Sequence, residues 1–208
     1  FVNQVYLVDV AAVGGFYLDW AGYGSGVTNY LAVPEFPTDE KGTQFDAMGG
    51  VIMGGNLSKT RGITSFNDSY FEDNVKESIA RSWYDGDWSK HPWESTTDPK
   101  YTDFEDNGRY TWLKAPRFQG KPMQVGPLAQ MLVGYAQGHD LTVASVDALL
   151  GRISAVAGTT LGPDILFGTI GRTAARAVRA GMMADLALKH LDLLIANIDS
   201  GDYEIFNP

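Results

Sequence analysis

His91, His139 and His190 are the only imidazoles in this chain, and it contains no cysteine. Without cysteine there is no disulfide framework and no thiolate for zinc, iron–sulfur or nickel. No histidine stands at ligand spacing from another, and neither HExxH nor a paired-carboxylate motif occurs. Each histidine is therefore expected to have a surface or packing role. Gly49-Gly50 and Gly54-Gly55 flank Val51-Ile52-Met53 but lack a phosphate-binding lysine and dinucleotide spacing, so they read as turns. No G-x-S-x-G elbow is present.

Two clusters remain. Trp83, Trp88, Trp93 and Trp112 fall in one stretch with Tyr84, Tyr101, Tyr110 and Phe104, interleaved with Asp85, Asp87, Glu94, Asp98, Asp103, Glu105 and Asp106. Rings that stack on sugars beside carboxylates would suit glycoside binding or cleavage. Rings that anchor a long segment onto a core or partner would suit the same composition. The second cluster is Arg172, Arg176 and Arg179, at i, i+4 and i+7 near the start of a helix. The helix macrodipole disfavours cations there, so acidic partners are expected.

The elements that would position these groups are mostly helical. Val2, Val5, Tyr6, Val10 and Val13 recur at helical spacing, predicting a helix over 1–22 that the Gly22, Gly24, Gly26 cluster ends. Its polar residues Asn3, Gln4, Asp9 and Asp19 argue against a membrane span. Short runs at 30–33, 51–53 and 63–64, bounded by Gly, Pro and Asn, predict a small antiparallel β region over 29–66. Ser69 and Glu72 stand as in a capping box. Phe71, Val75, Ile79 and Trp83 follow at intervals of four, predicting a helix over 70–84. Residues 85–126 read as an aromatic-rich loop. Residues 127–201 read as a helical bundle segment that starts with Pro127 in a first turn. Its last helix carries Ile170, Ala174, Ala177, Gly181, Ala184, Leu188, Leu191, Ile195 and Ile198 in steps of four and three, a heptad seam. The seam is small in its first half and large in its second, where Leu and Ile are expected to fill a wider gap. Gly201 supplies the stop.

At 208 residues the chain suits one domain or a piece of a larger one, with 44% hydrophobic and 20% charged residues. A net charge of −9 argues against nucleic-acid binding. The first residues lack a signal-peptide layout. Structured sequence at both ends reads as a fragment of a longer fold.

Several ordered motifs go further. They are Ser82-Trp83-Tyr84, His91-Pro92-Trp93-Glu94, Asp98-Pro99-Lys100-Tyr101-Thr102, Tyr110-Thr111-Trp112-Leu113-Lys114-Ala115-Pro116, Val125-Gly126-Pro127-Leu128-Ala129 and Gly171-Arg172-Thr173-Ala174-Ala175-Arg176. With Asp19-Trp20, Ala196-Asn197-Ile198 and Gly201-Asp202, this set resembles the central part of nickel–iron hydrogenase large subunits, over essentially the whole chain. The resemblance implies a mainly α fold with a small antiparallel β portion, part of that family's helical bundle. It implies an enzyme that oxidises or evolves dihydrogen at a nickel–iron centre, in complex with a small subunit carrying iron–sulfur clusters. It also implies magnesium in the complete subunit and a periplasmic or membrane-associated address. The family's two metal-binding cysteine pairs lie near the ends of the subunit, so no residue here is expected to ligate metal or to be catalytic. Gln124, Lys114 and Arg172 are carried over as residues supporting the centre from outside its ligand set. Arg81, Gln124 and Gln130 depart from the family's common His, Glu and Arg. A Gln cannot exchange protons as a Glu does. Two other readings stay open: a carbohydrate-binding or glycoside-active module over 83–112, and a non-catalytic assembly subunit.

Overall fold

The computed structural model describes residues 1–65, 67–86, 89, 90 and 98–204. A π-helical turn at Val2–Tyr6 leads into α1 (Leu7–Phe16). Strands β1 (Tyr30–Ala32), β2 (Glu35–Pro37), β3 (Phe45–Ala47), β4 (Gly49–Ile52) and β5 (Arg61–Ile63) follow. Next come α2 (Ser69–Glu72), β6 (Val75–Ser78), β7 (Tyr84–Asp85), β8 (Ser89–Lys90), β9 (Asp98–Pro99) and β10 (Ala115–Phe118). The chain then becomes helical, with α3 (Pro127–Ala136), α4 (Asp140–Ala157) and α5 (Thr169–Ser200). The fold class is mainly α with small antiparallel sheets.

The chain divides into two compact units, 1–65 with 124–208, and 66–123. In the first, α1, α3, α4 and α5 pack on one another around Leu7, Leu132, Leu149, Ile153, Ala174 and Met182. Sheet β1–β4–β5 lies against α3, in antiparallel register with Leu31 opposite Val51 and Gly50 opposite Gly62. The Gln137 side chain at the end of α3 donates to Gly49 O at 2.8 Å, fixing helix to sheet. The hairpin β2–β3 reaches α5, where Arg179 meets Glu35 at 2.6 Å and Lys189 meets Asp46 at 2.5 Å.

The seam on α5 behaves differently in its two halves. Ala174, Ala177 and Gly181 are buried where neighbouring helices approach closely, and a side chain at Gly181 would meet Asn3 Oδ1 at 2.7 Å. Ala184, Leu188, Leu191, Ile195 and Ile198 are exposed. The large residues therefore do not fill a gap within the described residues. At 32 residues α5 is about 48 Å long at 1.5 Å per residue, whereas α4, at 18 residues, spans about 27 Å. Gly201 closes α5 in a left-handed conformation, its N–H and that of Asp202 returning to Ile198 O and Asn197 O.

The second unit corrects one expectation. The helix predicted over 70–84 is a single turn, α2, followed by strand β6. Apolar residues four apart fit a helix, but they fit every second inward position of a strand equally well, and here tertiary pairing decides. Val75 pairs opposite Phe118 in the antiparallel sheet β10–β6–β8, and Tyr70 packs edge-on against Phe118 at 5.3 Å. The N-cap is Asp68, whose carboxylate accepts from Tyr70 N at 2.9 Å, rather than Ser69. Residues 85–126, expected as loop, contain β8, β9 and β10 and the end of β7.

Candidate functional site

Of the three carried-over residues, two come together. Gln124 enters beside β1: its N–H donates to Asn29 O at 2.7 Å, and its carbonyl accepts from Leu31 N at 3.0 Å. This backbone pairing turns the side chain towards the segment 22–28. There Nε2 donates to Ser25 O at 2.8 Å and to Val27 O. Oε1 accepts from Arg172 Nη1. Arg172 lies in the first turn of α5 and donates from Nη2 to Gly24 O at 2.9 Å and to Ser25 O at 3.0 Å, and from Nε to Gly24 O at 3.2 Å. Thr169 completes the attachment, its N–H donating to Tyr23 O at 2.8 Å and its hydroxyl to the same oxygen at 3.0 Å.

The carbonyls of Tyr23, Gly24 and Ser25 thus converge on the positive end of a helix that already carries a cation there. Partial negative charge from aligned carbonyls compensates both. Acidic partners were expected for the arginine face. Arg179 has one in Glu35, but the described partners of Arg172 are neutral carbonyls and an amide. Approach this close demands glycine. Gly24 sits at φ +70, and a Cβ there would lie 2.3 Å from Thr169 Oγ1. At Gly168 a Cβ would lie 1.8 Å from Ala21 O. The Gly22, Gly24, Gly26 cluster signals only a helix stop in the sequence; in the structure Gly24 also lets the loop dock.

Tyr30, next to this bridge in β1, is fully buried, and its hydroxyl has no hydrogen-bond partner among the described residues. Burial pushes its pKa up, with the charge of Arg172 pulling the other way. Gln130 Oε1, on α3, is likewise buried without a partner among the described residues. Arg81 is exposed, with Nη1 3.4 Å from Gly108 O.

Lys114 belongs to the second unit. It forms an ion pair with Glu77 at 3.3 Å and lies over the Tyr84 ring, 5.4 Å from its centroid. The aromatic residues of this unit pack on each other. Trp83 is 4.9 Å from Tyr101 and 5.1 Å from Trp112, and Tyr84 is 5.9 Å from Trp112. Trp83 is buried and donates from Nε1 to Asp103 O at 2.9 Å. Asp85 pairs with Lys100 at 2.8 Å. These rings pack around the buried Trp83, while Tyr101 is 59% and Trp112 46% exposed. Asp87, Trp88, His91, Trp93 and Glu94 lie outside the described residues.

His139 precedes α4, with Nδ1 2.8 Å from Thr142 Oγ1. His190 Nε2 is 3.3 Å from Asp46, which also holds Lys189. This last grouping has no signal in the sequence, because Asp46 is more than 140 residues from Lys189 and His190 along the chain.

The residues present do not fit a nickel–iron centre. The sequence has no thiolate, and among the described residues no group of three His, Asp or Glu side chains could hold a metal ion.

The sequence model of the nickel-dependent hydrogenase family matches residues 1–208. The Hydrogenase-2 large chain of Escherichia coli K12 is 41% identical over 206 residues, covering 99% of this chain and 36% of that protein. The uptake hydrogenase large subunit of Bradyrhizobium diazoefficiens is 36% identical over 228 residues, covering 100% and 36%. Among solved structures, a reduced, active form of the Ni-Fe-Se hydrogenase from Desulfomicrobium baculatum superposes with a TM-score of 0.72 at 28% identity, covering 93% of this chain and 37% of that one. The chain therefore spans little more than a third of the length of these relatives. On the match to its whole length, this chain belongs to the nickel-dependent hydrogenase family.

Proposed function

We propose that this chain is a scaffold segment of a hydrogenase large subunit, active only within the complete subunit and its complex. The observation that carries this is whole-length similarity to hydrogenase large subunits in a chain that has no thiolate. The enzyme oxidises or evolves dihydrogen, and its nickel–iron centre is held by sulfur ligands outside these residues. An iron–sulfur small subunit is its electron-transfer partner. Magnesium belongs to the complete subunit.

Within the segment, Gln124 and Arg172 act by holding the 22–28 loop against the start of α5. Lys114 holds the strand β10 side of its own unit through Glu77. None of them ligates metal. The uptake hydrogenases among the relatives support a periplasmic or membrane-associated address. Among the described residues no helix is long and apolar enough to cross a membrane.

Nickel analysis tests this reading. The 208-residue chain by itself is expected to bind no stoichiometric nickel, whereas the full-length subunit carrying it binds nickel and turns over hydrogen with its partner. Stoichiometric nickel on the isolated chain overturns the assignment, as does a full-length subunit without metal-binding cysteine pairs.

A further inference from the structure

Asn107 is the one asparagine in this sequence that is followed by glycine. It stands exposed in a turn, with Gly108 N donating to Glu105 O at 3.1 Å. Each other asparagine precedes a residue whose own side chain crowds its backbone nitrogen, whereas glycine leaves that nitrogen open.

The same turn places a base. Thr102 Oγ1 donates to Glu105 Oε1 at 3.3 Å. Glu105 Oε2 rests against Gly108, 1.8 Å from where a Cβ on that residue would stand. A carboxylate fits this close only because position 108 has no side chain. The surrounding strap is pinned on both sides. Glu105 N donates to Arg109 O and Tyr110 N to Arg81 O, each at 3.0 Å, and Arg81 Nη1 lies 3.4 Å from Gly108 O.

We propose that this turn is a self-modification site, at which the chain converts Asn107 to isoaspartate with Glu105 as the base. Gly108 N adds to Asn107 Cγ. The proton of that nitrogen passes to the Glu105 carboxylate and on to Nδ2, the Cγ–Nδ2 bond breaks, and ammonia leaves. A cyclic imide now joins Cγ to Gly108 N. Water opens the ring in one of two ways. Attack at Cγ gives aspartate, and attack at the backbone carbonyl gives isoaspartate, whose chain runs through the side-chain carbons. No oxidant, reductant or cofactor enters. The bond from Gly108 N to Glu105 O must open first, so local opening of this exposed turn sets the pace. The product adds a carboxylate beside Glu105 and Asp106 and lengthens the backbone by one carbon. It does so in the strap between Tyr110 and Asp103, whose carbonyl holds Trp83 Nε1.

The test uses the full-length subunit in its complex, incubated at mildly alkaline pH in heavy-oxygen water. Peptide mass spectrometry with electron-transfer fragmentation reads residue 107 and separates isoaspartate from aspartate. The expected result is isoaspartate at 107 that grows with time and carries one heavy oxygen. Asn107→Gln should abolish it, because the ring that glutamine forms is larger. Glu105→Gln should slow the conversion about 10-fold, less than a rigidly held base contributes because the turn must open. A merely structural role for Glu105 predicts the opposite sign, since loosening the turn would speed the reaction. Asn107 left intact after incubation overturns the proposal, and so does isoaspartate forming as fast or faster in the Glu105→Gln variant.

Discussion

The Arg172 guanidinium donates to Oε1 of Gln124, tying the first turn of α5 to the residue that pairs beside β1. The identity of residue 124 follows from what it must satisfy. An amide accepts from Arg172 and at the same time donates to Ser25 O and Val27 O. A carboxylate would meet the arginine equally well but would oppose two carbonyl oxygens. Gln at 124 thus meets the guanidinium and both carbonyls at once, independently of pH.

Arg172→Ala removes every side-chain bond from α5 to Gly24 O, Ser25 O and Gln124 Oε1. A loss of about 1.5–3 kcal/mol in unfolding free energy is expected, the range for hydrogen bonds to a charged group. Arg172→Lys restores the charge but not the planar fork, so it should recover less than half. Urea titration measures both, and a lysine variant as stable as the parent contradicts the fork's importance.

Tyr30 governs an alkaline limit. Burial raises its pKa above the ordinary 10.0, so the unfolded chain gives up the phenolic proton first as pH rises. Stability linked to this group is complete below pH 10 and is lost as pH climbs towards the folded value. Tyr30→Phe deletes a buried hydroxyl with no described partner. It should leave stability at pH 7 unchanged or raise it by about 1 kcal/mol, and should shift alkaline unfolding upward. Tyr135, raised by burial and by Asp147, keeps part of the alkaline sensitivity. A loss above about 1 kcal/mol at pH 7 would show that the hydroxyl is bonded.

Gly168→Ala drives a methyl against the Ala21 carbonyl, a backbone atom that cannot rotate away. The cost should be about 1–3 kcal/mol, as for overpacked sites. Faster hydrogen exchange at residues 21–26 should accompany it, and unchanged exchange there would argue against the docked loop.

Trp83→Ala removes a buried ring that contacts both Tyr101 and Trp112, and should cost about 3–5 kcal/mol. Trp83→Phe keeps much of the packing but loses the bond to Asp103 O, and should cost about 1 kcal/mol from that bond. Differential scanning calorimetry separates the two. Oligosaccharides should leave tryptophan fluorescence unchanged in the parent, because Trp83 is buried and the half-exposed Trp112 already packs against Trp83, Tyr84 and Tyr101.

Local signals were enough wherever the chain's own chemistry decides the outcome. Pro127 opens α3, Gly201 closes α5, and the four-and-three repeat sets the register of the long helix. The lack of thiolates is likewise read directly from the sequence. What depended on partners distant in sequence was not legible. Residues 75–78 became a strand because Phe118 and its neighbours pair with them, and apolar spacing of four does not distinguish strand from helix. The bridge from Gln124 to Arg172 spans 48 residues, and the one from Arg172 to Gly24 spans 148. Such pairings arise from chain crossings that no local pattern encodes. Burial too is decided by the fold as a whole: α5 carries one continuous seam, and only the tertiary structure covers Ala174, Ala177 and Gly181 and leaves Ala184, Leu188, Leu191, Ile195 and Ile198 exposed.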